Sequence, residues 1–191
     1  ETEYIGNYDS RLSIVTSHND QERKTPFKIT LTSKDVNNPL IAETPKSLEF
    51  LSTNDNKDWF IKKGVWNINS PIVINGNLTI EEGTTLKFGD KSYLIVKGYL
   101  LSVATENKKT IFTSLNDSWQ GLYIFNSSKE SVLKNTSISN VSSIKDGMLK
   151  LTGGVTFYNA DVRMENVNFS YGFDEDLLNI VNSKYSLNHI V

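Results

Sequence analysis

The sequence predicts an all-β protein in which most of the chain is a solenoid of stacked parallel strands. Two observations carry the prediction. Between residues 71 and 113 the strand-like triplets Ile72-Val73-Ile74, Leu78-Thr79-Ile80 and Leu86-Lys87-Phe88 alternate with the turns Asn75-Gly76-Asn77 and Glu81-Glu82-Gly83-Thr84. The group then returns: Leu94-Ile95-Val96 lies 22 residues after Ile72-Val73-Ile74, Leu100 lies 22 after Leu78, and Ile111-Phe112-Thr113 supplies the third strand.

Each triplet is apolar at both outer positions, and the two-residue period of a strand turns those side chains to one face. A fixed repeat in the twenties marks a solenoid. Asn-Gly turns also favour hairpins, so an antiparallel meander or sandwich is the rival. Against it, each new first strand resembles the previous first strand more than its neighbour. Equivalent strands are therefore expected to stack in parallel, about 4.8 Å apart.

Later coils follow the same template. Leu122-Tyr123-Ile124 opens one that continues through Val132-Leu133 and Ile138. Val155-Thr156-Phe157, Val162-Arg163-Met164 and Val167-Asn168-Phe169 form the next, and Leu178-Asn179-Ile180 with Tyr185-Ser186-Leu187 begins another. About five coils result, the last cut off at Val191. An open coil end exposes apolar side chains and unpaired strand groups, so the native protein is expected to continue.

Several runs together resemble a known family: Gly64-Val65-Trp66, the stretch from Leu78 to Phe88, Ile111-Phe112-Thr113-Ser114, Trp119-Gln120-Gly121-Leu122, and Leu151-Thr152-Gly153-Gly154-Val155-Thr156-Phe157-Tyr158. They are similar to bacterial right-handed parallel β-helix proteins of the pectate-lyase-like kind. Most of all they resemble the β-helix region beside spore-coat CotH kinase-like domains. The likeness covers about residues 58 to 191 and implies a right-handed helix in an exported bacterial protein, secreted or held at the cell surface. It implies no kinase activity, because these residues contain no counterpart of the kinase-like domain.

Residues 1–57 have another texture, with one glycine (Gly6), three prolines (Pro26, Pro39 and Pro45) and no visible period. Phe27-Lys28-Ile29-Thr30-Leu31-Thr32 alternates like a half-buried strand, and Ser47-Leu48-Glu49-Phe50-Leu51 suits a strand or one helical turn. The first coil begins near Trp59-Phe60-Ile61. An uncapped solenoid end aggregates, so this segment is expected to be a cap or the remnant of a preceding domain. An independent binding module is the alternative. The stretch from Asn140 to Thr152 exceeds a normal turn and reads as a surface insertion, the kind of loop on which function concentrates.

Composition narrows the partners. A net charge of −2 does not suit nucleic acid, which demands a basic surface. No run of 18 apolar residues spans a membrane. With no cysteine there is neither a disulfide framework nor a thiolate metal site. The chain opens at Glu1 rather than Met, so a signal peptide or domain upstream is expected to have been removed.

The chemistry of the outer face can be read by column. Alternation places Val73, Ile95, Tyr123, Thr156 and Asn179 in one outward column and Asn75, Lys97, Phe125, Tyr158 and Val181 in the next. General acid-base or metal chemistry needs several convergent titratable groups, and these columns offer one lysine. They do offer Tyr123, Phe125 and Tyr158 close together. Aromatic rings with polar tips suit a polysaccharide or a cell-surface protein, or they form core if the segment before residue 58 covers them.

Asp174, Glu175 and Asp176 are the one dense acidic cluster, and carboxylates in a turn are what Ca²⁺ prefers. A solvated turn explains them equally simply. His18 and His189 lie far apart and neither sits beside a recognisable nucleophile. The leading expectation is a non-catalytic surface or scaffold module with an aromatic glycan strip. The rival is part of a polysaccharide lyase or epimerase whose acidic site lies at residues 174–176 or beyond them.

Overall fold

A computed structural model describes residues 13–18, 21–26, 48–54, 58–146 and 149–191. The chain divides into two compact units, Glu1–Ile41 and Ala42–Val191. In the first, β1 (Ser13–His18) and β2 (Gln21–Pro26) pair antiparallel, with Ser13 opposite Pro26 and His18 opposite Gln21. The strand expected at Phe27 to Thr32 falls outside the described residues.

The second unit opens with β3 (Leu51–Thr53), antiparallel to β4 (Asp58–Ile61). Phe50 and Leu51 pack into this unit's core, although the sequence reading grouped them with the segment before residue 58. Then come β5 (Val65–Ile68), β6 (Ile72–Ile74), β7 (Asn77–Ile80), β8 (Thr85–Phe88), β9 (Leu94–Val96), β10 (Leu100–Val103) and β11 (Thr110–Ser114). After β12 (Leu122–Phe125) and β13 (Ser131–Ser139) come the two-residue β14 (Lys145–Asp146) and β15 (Leu149–Lys150). The chain closes with β16 (Val155–Tyr158), β17 (Val162–Ser170), β18 (Leu178–Val181) and β19 (Tyr185–Ile190).

Every described residue assigned to a regular element is in a strand, and the pairing is overwhelmingly parallel. One sheet stacks β18, β16, β12, β9 and β6 in that order, all parallel. Leu94 faces Ile72 across the ladder and Leu100 faces Leu78, the 22-residue spacing read from the sequence. A second, ten-stranded sheet collects the remaining long strands, and only β3 with β4 departs from parallel pairing. The hairpin-based meander is thereby excluded for residues 58–139.

The core between the sheets follows from the alternation. Ile72, Ile74, Leu94, Val96, Leu122, Ile124, Val155 and Phe157 are buried in one continuous cluster with residues of the other sheet. Trp119 lies in its centre, stacked on Phe88 at 4.3 Å and facing Phe112 at 6.4 Å between ring centroids. Such close-packed aromatic stacking adds to the stabilisation from burial alone.

The corners obey a backbone rule. Eight non-glycine residues take positive φ among the described residues, and six of them are asparagine. Asparagine tolerates this left-handed conformation because its short amide finds local partners. All eight fall into three stacked columns: Asn126, Asn159 and Asn182; Asn135, Asn166 and His189; Asn140 and Tyr171. In the first column Asn159 Nδ2 donates to Asn126 Oδ1 at 3.1 Å and Asn182 Nδ2 to Asn159 Oδ1 at 3.2 Å. In the second, Asn135 Nδ2 donates to Ala104 O at 2.6 Å and Asn166 Nδ2 to Asn135 Oδ1.

These corners revise one expectation. The sequence separates Val162-Arg163-Met164 from Val167-Asn168-Phe169, whereas both belong to the nine-residue β17, bent at left-handed Asn166. β13 is bent in the same way at Asn135. A single left-handed residue redirects a strand without ending its ladder, so periodicity alone reads it as a break.

Candidate functional site

The five-stranded sheet carries the two predicted outward columns in the expected register. Val73, Ile95, Tyr123, Thr156 and Asn179 are successive partners, as are Phe125, Tyr158 and Val181. Exposure, however, differs between the two. Val73, Ile95 and Tyr123 form a second small apolar cluster with Ile144, against which Tyr93, Phe125 and Leu151 also pack. Ile144 and Leu151 belong to the stretch read as a surface insertion. Ile144 and Leu151 pack over the sheet and turn Val73, Ile95 and Tyr123 into core.

Tyr123 is fully buried there, and its hydroxyl is fixed from two sides. It accepts the Ile144 N–H at 3.0 Å and donates to Gly153 O at 3.3 Å. Burial pushes the phenol's pKa well above its ordinary value, the hydrogen bond from Ile144 opposes this, and the nearby Asp174 carboxylate raises it further. A buried hydroxyl with both roles satisfied is a structural group.

A pH prediction follows with a definite sign. The folded-state pKa lies above that of the unfolded chain, so the stabilisation is complete below about pH 10 and is lost as pH rises beyond it. Above that point stability should fall by at most about 1.4 kcal/mol per pH unit from this group. Tyr123→Phe should abolish that part of the alkaline slope. At neutral pH it should destabilise by about 1–3 kcal/mol, because Ile144 N–H and Gly153 O lose their partner. Urea titrations at a series of pH values measure both.

The ring of Tyr123 stacks on Phe125 with centroids 6.4 Å apart and planes at 8°, and Phe125 meets Tyr158 at 6.4 Å and 55°. The three predicted aromatics are thus brought together as a graded series. Tyr123 is inside, Phe125 is half-buried at the edge, and Tyr158 stands 47% exposed. What a ligand can touch is Tyr158 and the rim of Phe125. Burial also lowers the pKa of Lys97, the one lysine in that column.

Asp174, Glu175 and Asp176 form a turn that supports the ladder through its backbone: Gly154 N donates to Asp176 O at 3.1 Å. Glu175 and Asp176 are exposed, while Asp174 lies partly buried toward Tyr123. Among the described residues no three histidine or acidic side chains are arranged to hold a metal ion.

A polar groove of about 540 Å³, which no motif in the chain announces, lies at the corner of the ten-stranded sheet. It is lined by Glu106, Lys134, Asn135, Glu165, Asn166 and His189 among others. It arises where β13 and β17 turn sharply at Asn135 and Asn166 while the preceding circuit makes the longer turn Thr105 to Lys108. Glu82 holds that turn, accepting from Lys108 Nζ at 2.9 Å and Thr105 Oγ1 at 3.0 Å, and these bonds keep its carboxyl below the usual range. Lys134 Nζ reaches Glu165 at 2.8 Å across the groove wall.

No family model, curated protein or solved structure matches the chain.

Proposed function

We propose that the second unit is a right-handed parallel β-helix that acts as a rigid, non-catalytic scaffold and takes carbohydrate at the Phe125 and Tyr158 edge. Parallel stacking in continuous register supports the β-helix reading, and crossovers between parallel strands are right-handed in nearly all proteins. The observation that carries the binding reading is the anchored ring series. Tyr158 is exposed but braced by Phe125, which stacks on the fixed, buried Tyr123. Sugar rings pack on flat apolar faces bearing a polar tip, and a braced ring loses little conformational freedom on binding.

A panel of neutral and acidic polysaccharides, followed for binding and turnover with and without Ca²⁺, tests this. Binding without turnover, weakened roughly ten-fold by Tyr158→Ala, is the expected result. That substitution lies on the surface and should leave unfolding within about 0.5 kcal/mol of the parent chain. Unsaturated or epimerised products would overturn the non-catalytic reading, and binding indifferent to Tyr158→Ala would overturn the aromatic edge.

A further inference from the structure

The aromatic edge has a second column beside it. Phe125 and Tyr158 are partners across the ladder, and the next residues along their strands are Asn126 and Asn159. Both asparagines are exposed and left-handed, at φ 52° and 51°, so the chain turns its corner there. Main-chain bonds hold the turn: Asn126 N donates to Tyr158 O and Ser127 N to Asn159 O, each at 3.1 Å. Rings and amides therefore run in adjacent columns along the stack, one of each per level, with levels about 4.8 Å apart.

The amides are only partly used within the protein. A carboxamide has two N–H donors and an oxygen with two lone pairs. Asn159 Nδ2 gives one N–H to Asn126 Oδ1, and Asn182 Nδ2 gives one to Asn159 Oδ1. Among the described residues, both N–H groups of Asn126 and one of Asn159 are left for a ligand. Neither column carries a charged residue from Phe125 onward: Phe125, Tyr158 and Val181 form one, Asn126, Asn159 and Asn182 the other. The first charge along the ring column is half-buried Lys97, one level before Phe125.

We infer that this corner selects an uncharged, extended β-linked glycan lying along the stack, with its ring faces on Tyr158 and the Phe125 rim and its hydroxyls on Asn126 and Asn159. The inference rests on the carbohydrate reading above and narrows it to a ligand class. A pyranose whose hydroxyls are all equatorial shows C–H groups on its two faces and hydroxyls around its rim. The faces suit the ring column. The rim then falls on the neighbouring amides, which both give and accept hydrogen bonds without charge. An extended β-linked chain advances by nearly one level per sugar, so successive sugars meet the same pair of groups. A carboxylated chain would set successive anions against uncharged groups, where desolvating them is costly.

Titration calorimetry of the full chain with cellohexaose and with hexamannuronate tests the inference. Both are extended β-linked hexamers, the first uncharged and the second carrying a carboxylate on every sugar. Cellohexaose should bind roughly ten-fold more tightly or better, a comparison that needs no variant. Asn126→Gly and Asn159→Gly should each weaken its binding about five-fold, the worth of one hydrogen bond. Glycine takes left-handed φ without strain, so both variants keep the corner. Equal affinity for the two hexamers, or amide variants that bind as well as the parent chain, overturns the inference. If Tyr158→Ala still weakens binding in that case, the carbohydrate reading stands without it. Tighter binding of hexamannuronate, lost in Lys97→Gln, overturns the inference and assigns the corner to acidic chains held by Lys97. Binding of neither hexamer also overturns it, and the carbohydrate reading falls with it only if the wider polysaccharide panel is silent too.

Discussion

Trp119→Ala should destabilise the protein by about 3–5 kcal/mol, the range for removing a large aromatic from a packed core. Two losses coincide at this position. The side chain is fully buried between Phe88 and Phe112, so both rings lose a stacking partner. Its Nε1 donates to Ser139 O at 2.9 Å, and that carbonyl would lose a partner. The backbone bridge to Val141, whose chain leads toward Ile144, is kept by alanine, so the effect reports the side chain alone. Trp119→Phe keeps much of the stacking and gives up the hydrogen bond, so its effect should be clearly smaller. Urea unfolding of both variants measures the difference. Equal, small effects would mean that the aromatic stack contributes little.

Gly121→Ala should rank beside it, at about 2–5 kcal/mol, for a different reason. Gly121 has φ +94°, where a Cβ costs about 1–2 kcal/mol. The added methyl would also strike the Gly154 carbonyl oxygen and lie 2.8 Å from Tyr123 Oη and 3.0 Å from Ser142 O. Two of these three atoms are backbone and cannot step aside, and overpacking of this kind costs about 1–3 kcal/mol. The strain falls on the contact between β12 and the covering segment, so exchange at the Ile144 amide should quicken. Gly89→Ala is the control, because its added methyl meets nothing nearer than 3.5 Å. A Gly121→Ala protein as stable as the Gly89→Ala one would refute the steric argument.

The strand stack was legible because its signal is local and periodic. Ile72 with Leu94, Leu78 with Leu100, and Leu122, Val155 and Leu178 in succession all pair as their spacing and alternation predict. Asparagine was legible as a turn residue, as in Asn75-Gly76-Asn77. Which asparagines pair across levels was not, since stacking joins residues 23 or more positions apart. The fate of Tyr123 was illegible for a similar reason. Alternation assigns it to the face away from the main core, which is correct. Whether that face meets water depends on Ile144 and Leu151 returning across it, and such a return leaves no period. The polar groove likewise comes from unequal turn lengths on neighbouring levels, a geometric difference between circuits rather than a motif within one.

Consider finally how the molecule comes apart. Beyond the first level, most strands of the stack are bonded to strands two to three dozen residues distant, each level resting on the one before. Opening free energy in such an array is a sum of neighbour couplings, so it is not shared evenly along the chain. Strands with partners on both sides, β7 to β13 together with β16 and β17, open late. Strands paired on one side among the described residues, β5, β6, β18 and β19, open earlier. A protease would therefore reach the Trp119 level only after the outer strands had given way.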